Sequence, residues 1–230
     1  MKTLSTPRSF VLLAGLMLSL TIGGGCLAAP DAGTPGETLT RLKAGNARFV
    51  AGRLEHPNLA SERRSELVQG QRPSAVILTC ADSRVPPELV FDQGLGDLFV
   101  VRVAGNVLND QIVGSVEYAV LNLGSRLIVV LGHERCGAVT AARDTFAAAG
   151  QAPGHIQSIL DAIRPAVEAT RGQPLAATSL ANVRQAVDVL RASKPLLQAR
   201  VADGSLQVVG ANYELESGAV VFDEAARGAK

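Results

Sequence analysis

The sequence predicts an α/β fold: a mainly parallel central sheet flanked by helices, with an antiparallel edge strand near the C-terminus. Three observations predict it. Short apolar, β-branched runs recur at residues 75–79, 98–103 and 127–131, and unbroken runs of this length mark strands buried on both faces. Segments with helical spacing lie between them, which is how parallel strands are connected. The chain closes with two strand-like runs, 206–212 and 219–223, joined across Glu216-Ser217-Gly218. That is a hairpin pattern, and it adds the antiparallel edge.

The elements follow in order. Thr34-Pro35-Gly36-Glu37 has capping-box spacing with Pro at the first helical position, so a helix starts here. Its apolar face carries Leu39, Leu42 and Phe49, and Gly52 stops it. A second short helix is expected over 61–68, ending at Gly70. The strand at 75–79 stands between Pro73 and Pro86-Pro87, and the strand at 98–103 follows the turn Gly94-Leu95-Gly96-Asp97. Ala104-Gly105-Asn106 then reads as a small-residue loop where backbone approaches a ligand closely. Asp110 is the expected cap of a helix carrying Ile112, Val113, Val116, Val120 and Leu123, closed by Gly124. After the strand at 127–131, helices are expected near 138–148, 155–169, 179–192 and 195–202. No internal repeat or long linker interrupts this pattern, so residues 36–230 read as one catalytic domain.

Composition narrows the function classes. Net charge is +1 with no basic cluster, which argues against nucleic acid as a partner. Aromatic residues make up 3% of the chain and Trp is absent, so stacking platforms for bases or sugars are not expected. Residues 1–28 read as a signal peptide and 29–35 as a short linker. Lys2 and Arg8 open the segment, residues 10–22 are uncharged and apolar, and Gly23 to Pro30 supply the small residues of a cleavage site. The apolar part is 13 residues, short of the roughly 20 that span a bilayer. The mature protein is therefore expected to be exported, to the periplasm, without a membrane span. An uncleaved anchor and a lipidated N-terminus at Cys26 are the alternatives.

The chemistry-bearing residues sit where two strands end. Cys80-Ala81-Asp82-Ser83-Arg84 follows one strand, and Gly132-His133-Glu134-Arg135-Cys136-Gly137 follows another. In a parallel sheet both ends lie on one edge, where ligands bind. Two thiolates and an imidazole suit zinc, and three protein ligands with a position left for water is the pattern of a catalytic site. Other readings of the same residues stay open: a Cys80–Cys136 disulfide, a buried core thiol, a loop histidine, and a plain Asp82–Arg84 ion pair. His56 and His155 read as surface residues.

Taken together, these motifs resemble the β class of carbonic anhydrases. The similarity continues through Val85-Pro86-Pro87-Glu88, residues 96–102, Ala104-Gly105-Asn106 and Glu117-Tyr118-Ala119-Val120-Leu121, and covers about residues 36–223. The resemblance implies one Zn²⁺ per subunit, held by Cys80, His133 and Cys136. It implies a catalytic dyad in which Asp82 orients hydroxide toward CO2 and Arg84 keeps Asp82 ionised and off the metal. Were Arg84 to let go, Asp82 would take the fourth zinc position and shut the site. It further implies substrate contacts from the Gly137 N–H, Phe99 and Tyr118, and a homodimer or higher multiple of dimers with each site near the subunit interface. The expected activity is reversible hydration of CO2 to bicarbonate. A hydrolase of COS or CS2 on the same site, and a non-catalytic zinc- or bicarbonate-binding protein, are the alternatives. Val103 stands where many members have Asn. No Trp is present for the bicarbonate-responsive site of some members, so that regulation is not expected here.

Overall fold

The computed structural model describes residues 33–223. The signal-peptide reading of 1–28 and the question of Cys26 lie outside them. Among the described residues no helix is long and apolar enough to cross a membrane.

Five strands form one sheet: β1 (Ala75–Thr79), β2 (Leu98–Arg102), β3 (Leu127–His133), β4 (Gln207–Tyr213) and β5 (Val220–Phe222). Their order is β2-β1-β3-β4-β5. The first three pairings are parallel and β4–β5 is antiparallel, as the closing hairpin predicts. Every residue of β1 and β3 is buried, because these central strands are covered on both faces. Alternation sorts them. Val76, Leu78, Ile128 and Val130 face one core cluster, while Ala75, Ile77, Leu127 and Val129 face the other.

The first cluster is covered by α4 (Asp110–Asn122), α7 (Leu175–Ala192) and α8 (Leu197–Ala202). The second is covered by α1 (Pro35–Val50) and α3 (Pro87–Val90). A third cluster caps the carboxyl edge of the sheet. Here Cys80 and Cys136 pack with Val139 and Ala142 of α5 (Gly137–Ala147) and with Leu160 and Ile163 of α6 (Ile156–Ala169). The remaining helix, α2 (Ser61–Leu67), is short and buries no residue.

The capping box of α1 forms as the spacing predicts: Glu37 N–H donates to Thr34 Oγ1 at 3.2 Å, and Thr34 N–H donates to Glu37 Oε2 at 2.8 Å. The cap of α4 differs from expectation. Asn109, not Asp110, is the N-cap, its Oδ1 accepting from Ile112 N–H at 2.9 Å. Asp110 instead opens the first turn, where its charge suits the helix dipole. Strand β3 also runs two residues past the expected end, through Gly132 and His133, because β4 pairs with it as far as His133 opposite Tyr213.

Asp92 ties α1 to the loop before α2. Its carboxylate accepts from Arg48 Nε at 2.6 Å and from the N–H groups of Glu55 and His56 at 3.0 Å. Burial works against the charge, but these three donors outweigh it and hold the group below the usual 3.8. A depressed folded pKa contributes stability that is present above the unfolded value and lost as pH falls toward the folded one. Asp92→Asn is therefore expected to cost about 2–3 kcal/mol at neutral pH, and less as pH drops below about 4. Asn tolerates the left-handed φ of 47° found here, so the substitution isolates the charge. Urea unfolding at neutral and acid pH measures both values.

Candidate metal centre

The end of β1 and the end of β3 lie side by side in register, Thr79 opposite Leu131. Thr79 Oγ1 locks that pairing by donating to Leu131 O at 2.9 Å. Beyond this point Cys80 from one segment and His133 and Cys136 from the other reach a common space. Cys80, His133 and Cys136 are all buried, and their ligand atoms lie within 4.8 Å of one another.

The cysteines are free thiols with Sγ atoms 4.0 Å apart. A disulfide needs about 2 Å. With Zn–S bonds of about 2.3 Å, the sulfur–sulfur edge of a tetrahedral zinc site is about 3.8 Å, so the observed spacing fits zinc. The third donor fits as well. His133 Nδ1 lies 2.8 Å from Glu134 O, which fixes the tautomer with the proton on Nδ1 and leaves the Nε2 lone pair free. That Nε2 is buried and has no hydrogen-bond partner. A buried, unpartnered acceptor facing two thiols is what a soft cation completes. The disulfide and loop-histidine readings do not account for it.

Contact with the Cys136 thiol and the Gly105 N–H outweigh burial and push the Cys80 thiol down to about 4. Cys136 is pushed up, first by its bond to Cys80 and then by burial. Cys80 and Cys136 would hold a divalent cation as thiolates, and their two charges would balance its own.

Asp82 stands at the rim of this donor set. Arg84 grips it with two side-chain bonds, Nε to Oδ1 at 2.9 Å and Nη2 to Oδ2 at 2.7 Å, and adds its N–H to Oδ1 at 3.0 Å. This grip holds the carboxyl well below the usual carboxylate range against its partial burial. Asp82 Oδ2 remains 3.8 Å from His133 Nε2. The side chain is thus beside the donor set, with both its oxygens held by Arg84.

Gly137 opens α5 directly after Cys136, and a Cβ there would meet nothing within 4 Å. Its N–H lies at the N-terminus of α5. Phe99 and Tyr118 are not among the side chains packed around Cys80 and Cys136. Phe99 lies on the edge strand β2, against the core cluster under α4. Tyr118 lies on α4 and is 53% exposed. His56 and His155 are exposed, as expected.

The sequence reading did not assign two contacts that shape the centre. Gly105 N–H donates to Cys80 Sγ at 3.3 Å. The signal was present in Ala104-Gly105-Asn106, where close backbone approach was expected; what it approaches is the Cys80 sulfur. Only glycine fits, since its φ is +69° and a Cβ would lie 2.8 Å from Ile163 Cδ1. The second contact comes from Arg102 at the end of β2, which reaches the carbonyls of Cys80 and Asp82.

Known proteins match this chain in sequence and in fold. The family model for carbonic anhydrase matches residues 75–220, a stretch beginning at β1 and holding every residue of the centre. The chain is 44% identical over 184 residues to carbonic anhydrase 2 of Mycobacterium tuberculosis, covering 79% of this chain and 89% of that protein. Its fold matches the structure of the β-carbonic anhydrase CcaA with a TM-score of 0.67 at 26% identity, covering 81% of this chain and 95% of that one.

The chain belongs to the β-carbonic anhydrase family. A carbonic anhydrase of Mycolicibacterium smegmatis is 42% identical over 182 residues, covering 78% of this chain and 88% of that protein. The β-carbonic anhydrase CafA of Aspergillus fumigatus matches with a TM-score of 0.63 at 27% identity, covering 83% of this chain and 90% of that one. β-Carbonic anhydrases are lyases, and the α/β architecture with its antiparallel edge is the one the family shares.

Proposed function

We propose that this protein catalyses the reversible hydration of CO2 to bicarbonate and a proton, with one zinc ion per subunit. One juxtaposition carries the reading. A Cys80–His133–Cys136 donor set stands beside a carboxylate, Asp82, held by Arg84 with one oxygen 3.8 Å from His133 Nε2. A purely structural zinc site has no use for the second feature.

When bound, zinc supplies Lewis acidity that lowers the pKa of water, to about 7 in a three-histidine site and less far where two thiolates offset the ion's charge. The protein must then orient the nucleophile well. Asp82, kept ionised by Arg84, accepts a hydrogen bond from the hydroxide nucleophile and turns a lone pair toward the carbon of CO2. With both carboxylate oxygens engaged by Arg84, Asp82 does not compete for the donor set. The Gly137 N–H, at the positive end of α5, offers a hydrogen bond to a substrate oxygen. No second histidine joins the cluster among the described residues, so buffer or a water chain carries the proton.

Phe99 and Tyr118 sit toward the free edge of the sheet, on β2 and on the helix beside it. We assign them to a CO2 pocket completed by a second subunit, in a homodimer or a multiple of dimers. Two Sordaria macrospora β-carbonic anhydrases are described as tetrameric; they share this fold at a TM-score of 0.64. Residues 1–28 act as an export signal, and mass spectrometry of the mature N-terminus tests that.

The deciding experiment is metal analysis with thiol counting, followed by stopped-flow CO2 hydration at neutral and mildly alkaline pH. One zinc per chain, two thiols released by chelation, and rapid hydration are expected. Zinc without hydration would make this a binding protein. Faster turnover of COS or CS2 than of CO2 would reassign the substrate, and neither zinc nor free thiols would indicate a disulfide-stabilised structural protein.

A further inference from the structure

Two arginines converge on the segment 80–84, and they do different things. Arg84 engages the carboxylate of Asp82. Arg102 makes no bond to any side chain here: its Nε donates to Cys80 O at 3.2 Å and its Nη2 to Asp82 O at 2.6 Å. These two carbonyls flank Ala81, so one planar guanidinium spans the main chain from a metal-ligand residue to the residue that handles the nucleophile.

The segment needs such support, because its regular pairing is running out. β1 ends at Thr79, opposite Arg102. Past it, Val103 N–H still donates to Thr79 O at 3.1 Å and Ala81 N–H to Val103 O at 3.3 Å, and there the ladder stops. Val85 N–H donates to Asp82 O at 3.1 Å, so Asp82 O takes one bond from its own loop and one from the neighbouring strand. Among the described residues, Cys80 O is held from β2 by Arg102 Nε. A lysine in this place has a single ammonium and cannot present two N–H groups in a fixed fork.

We propose that Arg102 is a positioning residue for the reaction: it fixes the main chain of 80–82 and thereby the point from which Asp82 acts. The proposal rests on the CO2-hydration reading above. Arg84 sets the direction of the carboxylate; Arg102 sets where its backbone stands. A displacement on the order of 1 Å at a catalytic group costs up to about a hundredfold in rate, and among the described residues Arg102 is the side chain that bonds this backbone from the adjacent strand.

The test compares Arg102→Ala and Arg102→Lys with the wild type, each zinc-loaded and each in an Asp82→Asn background. Arg102→Ala is expected to lower kcat/KM for CO2 by about ten- to a hundredfold, with zinc content and melting temperature kept. Arg102→Lys, able to reach one carbonyl, falls between. In the Asp82→Asn background, where there is no carboxylate to place, Arg102→Ala is expected to cost less than about threefold, the coupling that contacting residues show in a double-mutant cycle. Hydrogen exchange of the Val85 amide should speed up about tenfold in Arg102→Ala, as local opening becomes easier. An unchanged kcat/KM, an equal loss with and without Asp82, or a loss accounted for by missing zinc would each overturn the proposal. If the wild type itself fails to hydrate CO2, the functional reading fails. The exchange measurement still decides the clasp, and an unchanged Val85 rate would refute it.

Discussion

Asp82→Asn is expected to keep one zinc per chain and lose about 10²–10⁴ in kcat/KM for CO2 hydration, the range seen when a group that handles a proton in the transition state is removed. The substitution is nearly isosteric, and Asp82 is not part of the Cys80–His133–Cys136 set, so metal binding has no reason to fail. What changes is hydrogen-bond polarity. Both carboxylate oxygens now accept from Arg84, at 2.9 and 2.7 Å. An Asn has one acceptor and one donor group, so one of these bonds becomes a donor–donor clash and the fork is broken. The face toward His133 Nε2, 3.8 Å away, can then present an N–H where an acceptor is required. Stopped-flow kinetics with zinc analysis on the same sample checks both halves. Turnover within about threefold of wild type would remove Asp82 from the mechanism, since a proton-handling group contributes far more than that.

The sequence made most of this site legible because its chemistry is dense at two strand ends. A buried apolar run that ends in Cys80, Asp82 and Arg84, and another followed by His133 and Cys136, leaves few alternatives once both ends share an edge. The parallel sheet and its antiparallel edge were readable from runs and spacing alone. What escaped notice was local or long-range. Pro86-Pro87 read as a turn, although Pro is well tolerated at the start of a helix, and α3 begins at Pro87. Helix α7 starts at Leu175, just after Pro174, earlier than the apolar spacing suggested. His133 ends a strand instead of following one, because β4 supplies pairing that no local signal announces. Arg102 was visible as a residue, but a guanidinium's choice of two carbonyls twenty residues away in the chain depends on which strand lies next to β1. That adjacency is a fact of topology. Phe99 and Tyr118 carry the same lesson: their places on β2 and on α4 are seen in one chain, whereas the pocket proposed for them needs a second.

Cys136→Ser is expected to abolish zinc retention and with it CO2 hydration, down to the uncatalysed background, while the fold survives. The choice of this ligand makes the result interpretable. Cys136 is the N-cap of α5 and its side chain makes no capping bond. Serine is among the best N-cap residues, so the substitution keeps or improves the helix start and leaves the third cluster intact apart from one sulfur. The hydroxyl, however, does not ionise at neutral pH and is a hard, poor partner for zinc, whereas metal binding by this set requires two thiolates. Loss of even an outer-shell partner of a zinc site typically costs about 10–100-fold in affinity, and a lost ligand costs more. The expected signature is thermal. Added zinc raises the melting temperature of the wild type, because the ion binds only the folded chain, and leaves that of Cys136→Ser unchanged. The metal-free forms of the two proteins melt together. Cys136→Ser that holds zinc through dialysis and hydrates CO2 would show that Cys136 is not a ligand, and the 4.0 Å approach of its sulfur to Cys80 would then need another explanation. Cys136→Ser that fails to fold without zinc, where metal-free wild type folds, would place the sulfur in the core and not at the metal.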